Sequence, residues 1–154
     1  MGKSKFNLLR LMHKYQEENN VKAMCLTNCQ FFLDCMRASG LNAKAVAVLA
    51  LDCAKDHSVA ITTVHMVIET KDGVVDPSWE HSKNENLQYV KTLSCLDWTG
   101  CENKEIEGMS RRELVETFIE FIKYAETMNN DEDTFLITDK AYYNAQADYC
   151  EKHF

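Results

Sequence analysis

Residues 58–78, SVAITTVHMVIETKDGVVDPS, decide the fold. Ser58 to Thr70 is dense in β-branched side chains, Lys71-Asp72-Gly73 is a turn signal, and Val74 to Ser78 resumes an extended pattern, so the stretch predicts a β-hairpin. Side chains alternate along a strand, which puts His65, Val67 and Glu69 on one face and Met66 and Ile68 on the other. The register depends on the turn. A four-residue loop over Thr70-Lys71-Asp72-Gly73, with Gly73 left-handed, pairs Glu69 with Val74 and Val67 with Asp76, leaving Asp76 one diagonal step from His65. A two-residue turn at Asp72-Gly73 would pair Asp76 with Glu69 instead, about 13 Å along the strand from His65. A contact between His65 and Asp76 therefore requires the longer loop or a bulge.

Upstream of the hairpin, the apolar run from Ala45 to Leu51 is short enough for a buried strand. Before it, a helix is predicted from about Met24, with Cys25, Cys29, Phe32, Met36 and Ser39 on one stripe and Gly40 as its left-handed stop. A first helix is expected from about Lys5 to Glu18, carrying Phe6, Leu9, Met12 or His13, and Gln16 along one side, and ending at Asn19-Asn20. Downstream, Ser110-Arg111-Arg112-Glu113 is a capping box. Leu114, Phe118, Phe121, Ile122 and Ala125 follow at helical spacing, giving a helix to about Met128 that Asn129-Asn130-Asp131 ends. A last helix is expected after Thr138, with Tyr142 or Tyr143, Ala145 and Tyr149. Glu80 to Gly108 shows no legible period. The order helix, helix, strands, helices predicts an α+β chain, with residues 1–154 as one domain, a motif-bearing core at about 20–80 and C-terminal helices at about 110–154.

Seventeen basic against 24 acidic residues give a net charge of -7, which argues against non-specific binding to nucleic acid or anionic membranes. No basic cluster offsets that balance. There is no run of about 18 apolar residues to span a bilayer, and the start runs directly into an amphipathic pattern without a signal peptide. Gly2 followed by Phe6 also lacks the Ser or Thr that myristoylation wants. The expectation is a cytoplasmic protein. Seven cysteines (Cys25, Cys29, Cys35, Cys53, Cys95, Cys101, Cys150) are an odd number, three of them at helical spacing, which suggests reduced thiols. The looser pairs Cys25/Cys29, Cys95/Cys101 and Cys53/His57 do not match a doubled two-residue zinc knuckle. Neither metal nor other cofactor is expected.

Cys25, His65 and Asp76 occur in the order and local settings that a thiol enzyme needs. A cysteine becomes nucleophilic as its thiolate, which a helix N-terminus and an adjacent imidazole favour. A histidine must take and return the proton, and a third polar group must hold the ring in one tautomer. Each residue also has a plainer reading: Cys25 as a small core hydrophobe, His65 as a satisfied core histidine, Asp76 as a turn-starting residue before Pro77. His13, His57, His81 and His153 read as surface or packing residues, with His57 and His81 near enough in sequence to the proposed site to contribute to its rim. Trp79, Trp98, Tyr142, Tyr143 and Tyr149 read as core or interface aromatics, and Asp131-Glu132-Asp133 as a solvated loop.

These residues resemble the transglutaminase-like superfamily of papain-like thiol enzymes. In that family a cysteine opens a helix ending in a glycine, followed by an apolar, a small and a basic residue. Gly40-Leu41-Asn42-Ala43-Lys44 is similar in spacing and chemistry. The family's histidine strand carries a glutamate four residues on, here Glu69, and its acid lies in Asp-Pro-Thr or Asp-Pro-Ser, here Asp76-Pro77-Ser78. The likeness spans roughly Ala23 to Glu80. It departs at Ala23-Met24, where many members have a glycine, at Met66-Val67, which replaces a small residue and a tryptophan, and in its shorter hairpin. The resemblance implies a papain-like arrangement and acyl transfer from an amide or ester through a thioester at Cys25, with a peptide, protein or amide as substrate. Completion by water makes a cysteine peptidase or amidase, and completion by an amine makes a transglutaminase-type acyltransferase. A catalytically inactive binding module is the remaining alternative.

Overall fold

The computed structural model describes residues 2–53, 59–82, 87–91, 110–130 and 139–154. Helix α1 spans Gly2–Glu18, starting earlier than its sequence pattern. Its buried side is Leu8, Leu11, Met12 and Gln16, while Phe6 is 62% exposed; the expected stripe is therefore correct at Met12 and Gln16 and wrong at Phe6. The turn that ends α1 places Asn20 at φ 50, with Val21 N–H bonding to Gln16 O at 2.9 Å and Asn20 N–H to Glu17 O at 3.2 Å. This pair closes a Schellman motif, and asparagine tolerates its left-handed position.

Helix α2, Cys25–Ala38, ends the same way. Gly40 sits at φ 71, and Leu41 N–H and Gly40 N–H return to Met36 O and Arg37 O, each at 2.9 Å. More than one stripe of α2 is covered, since Thr27, Asn28, Cys29, Gln30, Phe31, Phe32, Leu33 and Met36 are all buried. Phe32 and Leu33 are wholly enclosed, and burying each stabilises the fold by about 1.5–3 kcal/mol. A helix so surrounded cannot be read from one apolar stripe.

One antiparallel sheet follows, with strands β1 (Ala43–Cys53), β2 (Val59–Thr70), β3 (Gly73–Val75) and β4 (Leu87–Val90) in the order β3-β2-β1-β4. The hairpin takes the register expected of the longer loop, Glu69 opposite Val74, but Thr70 also pairs with Gly73, so the loop is only Lys71-Asp72 rather than four residues, with Gly73 at φ 123. Strand β3 stops at Val75 rather than running to Ser78, because Pro77 has no N–H to continue the ladder. Strand β4 lies in the stretch without a legible period. Pairing between β1 and β2 slips between Ala50 and Leu51, where Ala50 faces Thr63 but Leu51 faces Ile61. This is a β-bulge at Thr62.

Helix α3, Arg111–Asn130, starts on Ser110, whose Oγ accepts from Glu113 N–H at 3.1 Å, as the capping signature requires. Leu114, Phe118, Ala125 and Met128 are buried, but Ile122 is 37% exposed, so the expected face holds apart from that position. Helix α4, Lys140–His153, begins at Asp139, whose carboxylate accepts from Tyr142 N–H at 3.0 Å. Ala45, Ala47 and Leu49 of β1 and Val64, Met66 and Ile68 of β2 share one sheet face by register. That face carries the two core clusters, one with α1, α2, Cys150 of α4 and the end of α3 at Ala125 and Met128, and one with the start of α3 at Leu114 and Phe118. At the end of α3, the Asn129 amide donates to Ala45 O at 2.9 Å and accepts from Ala45 N–H at 2.7 Å, acting as a substitute strand beyond the end of β4. The elements thus form an α+β fold. No helix among the described residues is long and apolar enough to cross a membrane. Cys95, Cys101, His57, Trp98 and Asp131-Glu132-Asp133 lie outside the described residues.

Candidate active site

The other sheet face carries the candidate site. His65 stands opposite Val48, and Tyr89 opposite Ala50, so the two project to the same side from strands on either flank of β1. Two strand spacings amount to about 10 Å, yet the rings are 5.9 Å apart; the face is concave and its side chains converge. Asp76 comes from the turn after β3. Because that strand has already ended, the carboxylate swings onto His65, with Oδ2 2.9 Å from Nε2. Cys25 is the first residue of α2, close enough to His65 to raise the pKa of its ring.

Burial opposes a charge on His65, but the hydrogen bonds and the negative charge of Asp76 and Cys25 outweigh it, so the ring holds its proton up to about 10. Asp76 is also nine-tenths shielded. Burial works to raise its pKa, and hydrogen bonds from His65, Tyr89 and the Ser78 N–H more than reverse this, holding the carboxyl below its ordinary value. Both oxygens are occupied: Oδ2 accepts from His65 and from Tyr89 OH at 2.5 Å, and Oδ1 accepts from Ser78 N–H at 2.9 Å. His81 lies on the 3₁₀ turn Trp79–His81, and its ring centroid is 4.2 Å from that of His65.

The two cysteines on this end of α2 differ. Cys25 is half-buried and next to the imidazole, whereas Cys29 is wholly enclosed and donates to Met66 O at 3.3 Å, two residues beyond the last β2–β3 pair. Burial, together with the negative charges of Cys25 and Asp76, pushes the Cys29 thiol well up. Cys29 is therefore the inert thiol of the pair. Cys35 and Cys150 are likewise raised by burial, to about 12 and about 11. Among the described residues, no three His, Cys, Asp or Glu side chains converge as a metal would need.

A polar core that the sequence did not suggest holds the acid turn in place. His13 Nε2 donates to Asp76 O at 2.8 Å, so His13 is a support for this turn rather than a surface or packing residue. Gln16 donates to Pro77 O at 2.8 Å and to Gln146 Oε1 at 2.9 Å, and accepts from Trp79 N–H at 2.7 Å. Asn28, one turn past Cys25, donates to Ser78 Oγ at 3.1 Å and accepts from Tyr142 OH at 2.5 Å. Gln16, Asn28, Ser78 and Gln146 are all 1% exposed or less. The only signal available was polarity on an otherwise apolar helix face; Tyr89 offered none.

The turn into α2 is also fixed. Ala23 has φ 58, the left-handed conformation that explains why a glycine suits this position. Its N–H donates to Glu80 Oε1 at 3.0 Å, beside His81. Glu69, four residues past His65, lies at the outer end of the same face and pairs with Lys91 and, at 3.5 Å, with Lys44. The arrangement can present a thiol beside an imidazolium whose Nε2 is locked on a carboxylate. Comparison with protein-family models, with curated proteins and with solved structures found no match to this chain.

Proposed function

We propose that the protein is a thiol hydrolase, a cysteine peptidase or amidase with a papain-like, transglutaminase-like core, acting in the cytoplasm on a peptide, protein or amide. The observation that carries the reading is the locked ring, with Asp76 on His65 Nε2 and Cys25 at the start of α2 close enough to act on the same ring. In the first step the Cys25 sulfur adds to the substrate carbonyl carbon. His65 then gives its proton to the amide nitrogen, the C–N bond breaks and the amine leaves, so that a thioester remains. Water adds to the thioester as His65 takes its proton, and cleavage of the C–S bond releases the acid and restores Cys25. Met24 at the N-cap offers no side-chain acceptor, which supports a role for the first-turn N–H groups of α2 in holding the oxyanion.

The test is site-resolved alkylation. Iodoacetamide at about pH 6, where an ordinary thiol is almost wholly protonated, is expected to label Cys25 at least about tenfold faster than Cys35 or Cys150, and His65→Ala is expected to abolish the difference. Equal rates would remove the enzyme reading and leave the inactive binding module. Product formation that depends on an added amine, rather than on water, would identify acyl transfer to an amine instead.

A further inference from the structure

The proposed triad leaves unexplained a tyrosine hydroxyl pointed at its acid. Tyr89 donates to Asp76 Oδ2 at 2.5 Å, the same oxygen that His65 Nε2 meets at 2.9 Å. It reaches that atom from β4, on the far side of β1 from His65, so its placement depends on the concavity of the sheet and not on chain proximity. Burial followed by the negative charge of Asp76 pushes the phenol's ionisation upward, so Tyr89 remains a hydrogen-bond donor at every pH at which the site would work.

Resting on the catalytic reading above, we infer that Tyr89 is a positioning residue that keeps Asp76 ionised and directs its Oδ2 at His65. A buried carboxylate prefers to be neutral, and it stays charged in proportion to the donors it accepts. Asp76 has three: His65, Tyr89 and the Ser78 N–H. The Ser78 contact occupies Oδ1 and would allow the carboxylate to pivot about that oxygen. Tyr89 opposes the pivot from the other side of His65. Among the described residues, the other titratable groups near this carboxyl include Cys25 and Cys29 of α2, His13 of α1 on its backbone carbonyl and His81 over the His65 ring.

The variant is Tyr89→Phe in the full chain, which retains the ring beside His65 and removes only the hydroxyl. The readout is the His65 ring Cε1–H resonance, assigned by its loss in His65→Ala, whose acid-side inflection reports protonation of the carboxylate partner. In Tyr89→Phe this inflection is expected about one pH unit higher than in the wild type, the loss of one of the three donors to a charged group. A second measurement serves if acid unfolding intervenes. The urea midpoint of the variant should lie below the wild type at about pH 6 and converge with it as pH falls through the lowered folded value of Asp76, because a bond to ionised Asp76 disappears as Asp76 protonates. An unmoved inflection, or a midpoint deficit that does not change with pH, reduces Tyr89 to a packing residue and overturns the inference. Both readouts are independent of Cys25 chemistry. A moved inflection in a protein whose Cys25 alkylates no faster than Cys35 would thus sink the hydrolase reading while leaving the Tyr89–Asp76 coupling intact.

Discussion

Replacing Gln16 with leucine should destabilise the protein far more than a surface change on α1. The side chain is 1% exposed and makes three hydrogen bonds, to Pro77 O, Gln146 Oε1 and Trp79 N–H, all between 2.7 and 2.9 Å. Leucine is of similar size and leaves all three partners without their bond. An unsatisfied buried polar group costs about 1–3 kcal/mol, so three of them cost about 3–9 kcal/mol. The better transfer of leucine to the interior offsets about 2 kcal/mol, and water reaching the half-buried Trp79 reduces the sum further. A net loss of about 3 kcal/mol is expected, a large part of the ~5–15 kcal/mol typical of a domain. Urea unfolding followed by circular dichroism at pH 6 should show the midpoint falling by about 1–2 M at an ordinary slope. Because Gln16 also pins the Pro77–Trp79 turn, alkylation of Cys25 should slow in the same variant under native conditions. A loss below about 0.5 kcal/mol would show that the turn is held by other contacts and would refute the network argument. A large loss of stability with unchanged Cys25 labelling would make Gln16 a core residue with no bearing on the site.

Asp76→Asn should slow Cys25 labelling at pH 6 by about tenfold or more relative to the wild type while the circular dichroism spectrum is retained, since a neutral amide no longer favours the imidazolium; an unchanged rate would remove Asp76 from the site. Stability should depend on pH through the same pair. His65 is raised from its ordinary 6.5 to about 10, so its contribution is complete below about 6.5 and is lost as pH climbs through about 10, at no more than ~1.4 kcal/mol per pH unit. Asp76 is lowered, so its contribution is present above its ordinary value of 3.8 and disappears as pH falls through the folded value. Urea midpoints should accordingly be highest between about pH 4 and 6.5, and a midpoint that rises from pH 7 to 9 would contradict the pairing. Ala23→Gly should stabilise by about 0.5–1 kcal/mol, as relief of a left-handed alanine at φ 58 exceeds the entropy glycine loses on folding; a lower melting temperature would argue against that backbone conformation. Asn129→Leu should cost about 2 kcal/mol in the same urea assay by orphaning both backbone groups of Ala45, and a neutral result would mean that water replaces the amide.

Sequence alone determined the elements whose causes are local. The period-two run around His65, the capping residues Ser110 and Gly40, and the helical spacing of Leu114, Phe118 and Ala125 each act within a few residues of chain, so α2, α3 and the hairpin were legible. The hairpin register was narrowed to two alternatives, because turn geometry and strand alternation are also local. What decided between them was the folded chain, where Glu69 pairs with Val74 and Pro77 ends β3 early enough for Asp76 to turn onto His65. Tertiary structure also decided which side of α1 is buried, that α2 is enclosed on most sides, and that Gln16, Asn28, Ser78 and Gln146 meet in one polar network across separations of 50 to 130 residues. Those contacts leave no period in the sequence, because a buried hydrogen bond constrains two residue types at a distance and nothing in between. Tyr89 is the clearest instance: its bond to Asp76 exists only because a concave sheet brings β4 and β2 within reach of one carboxylate.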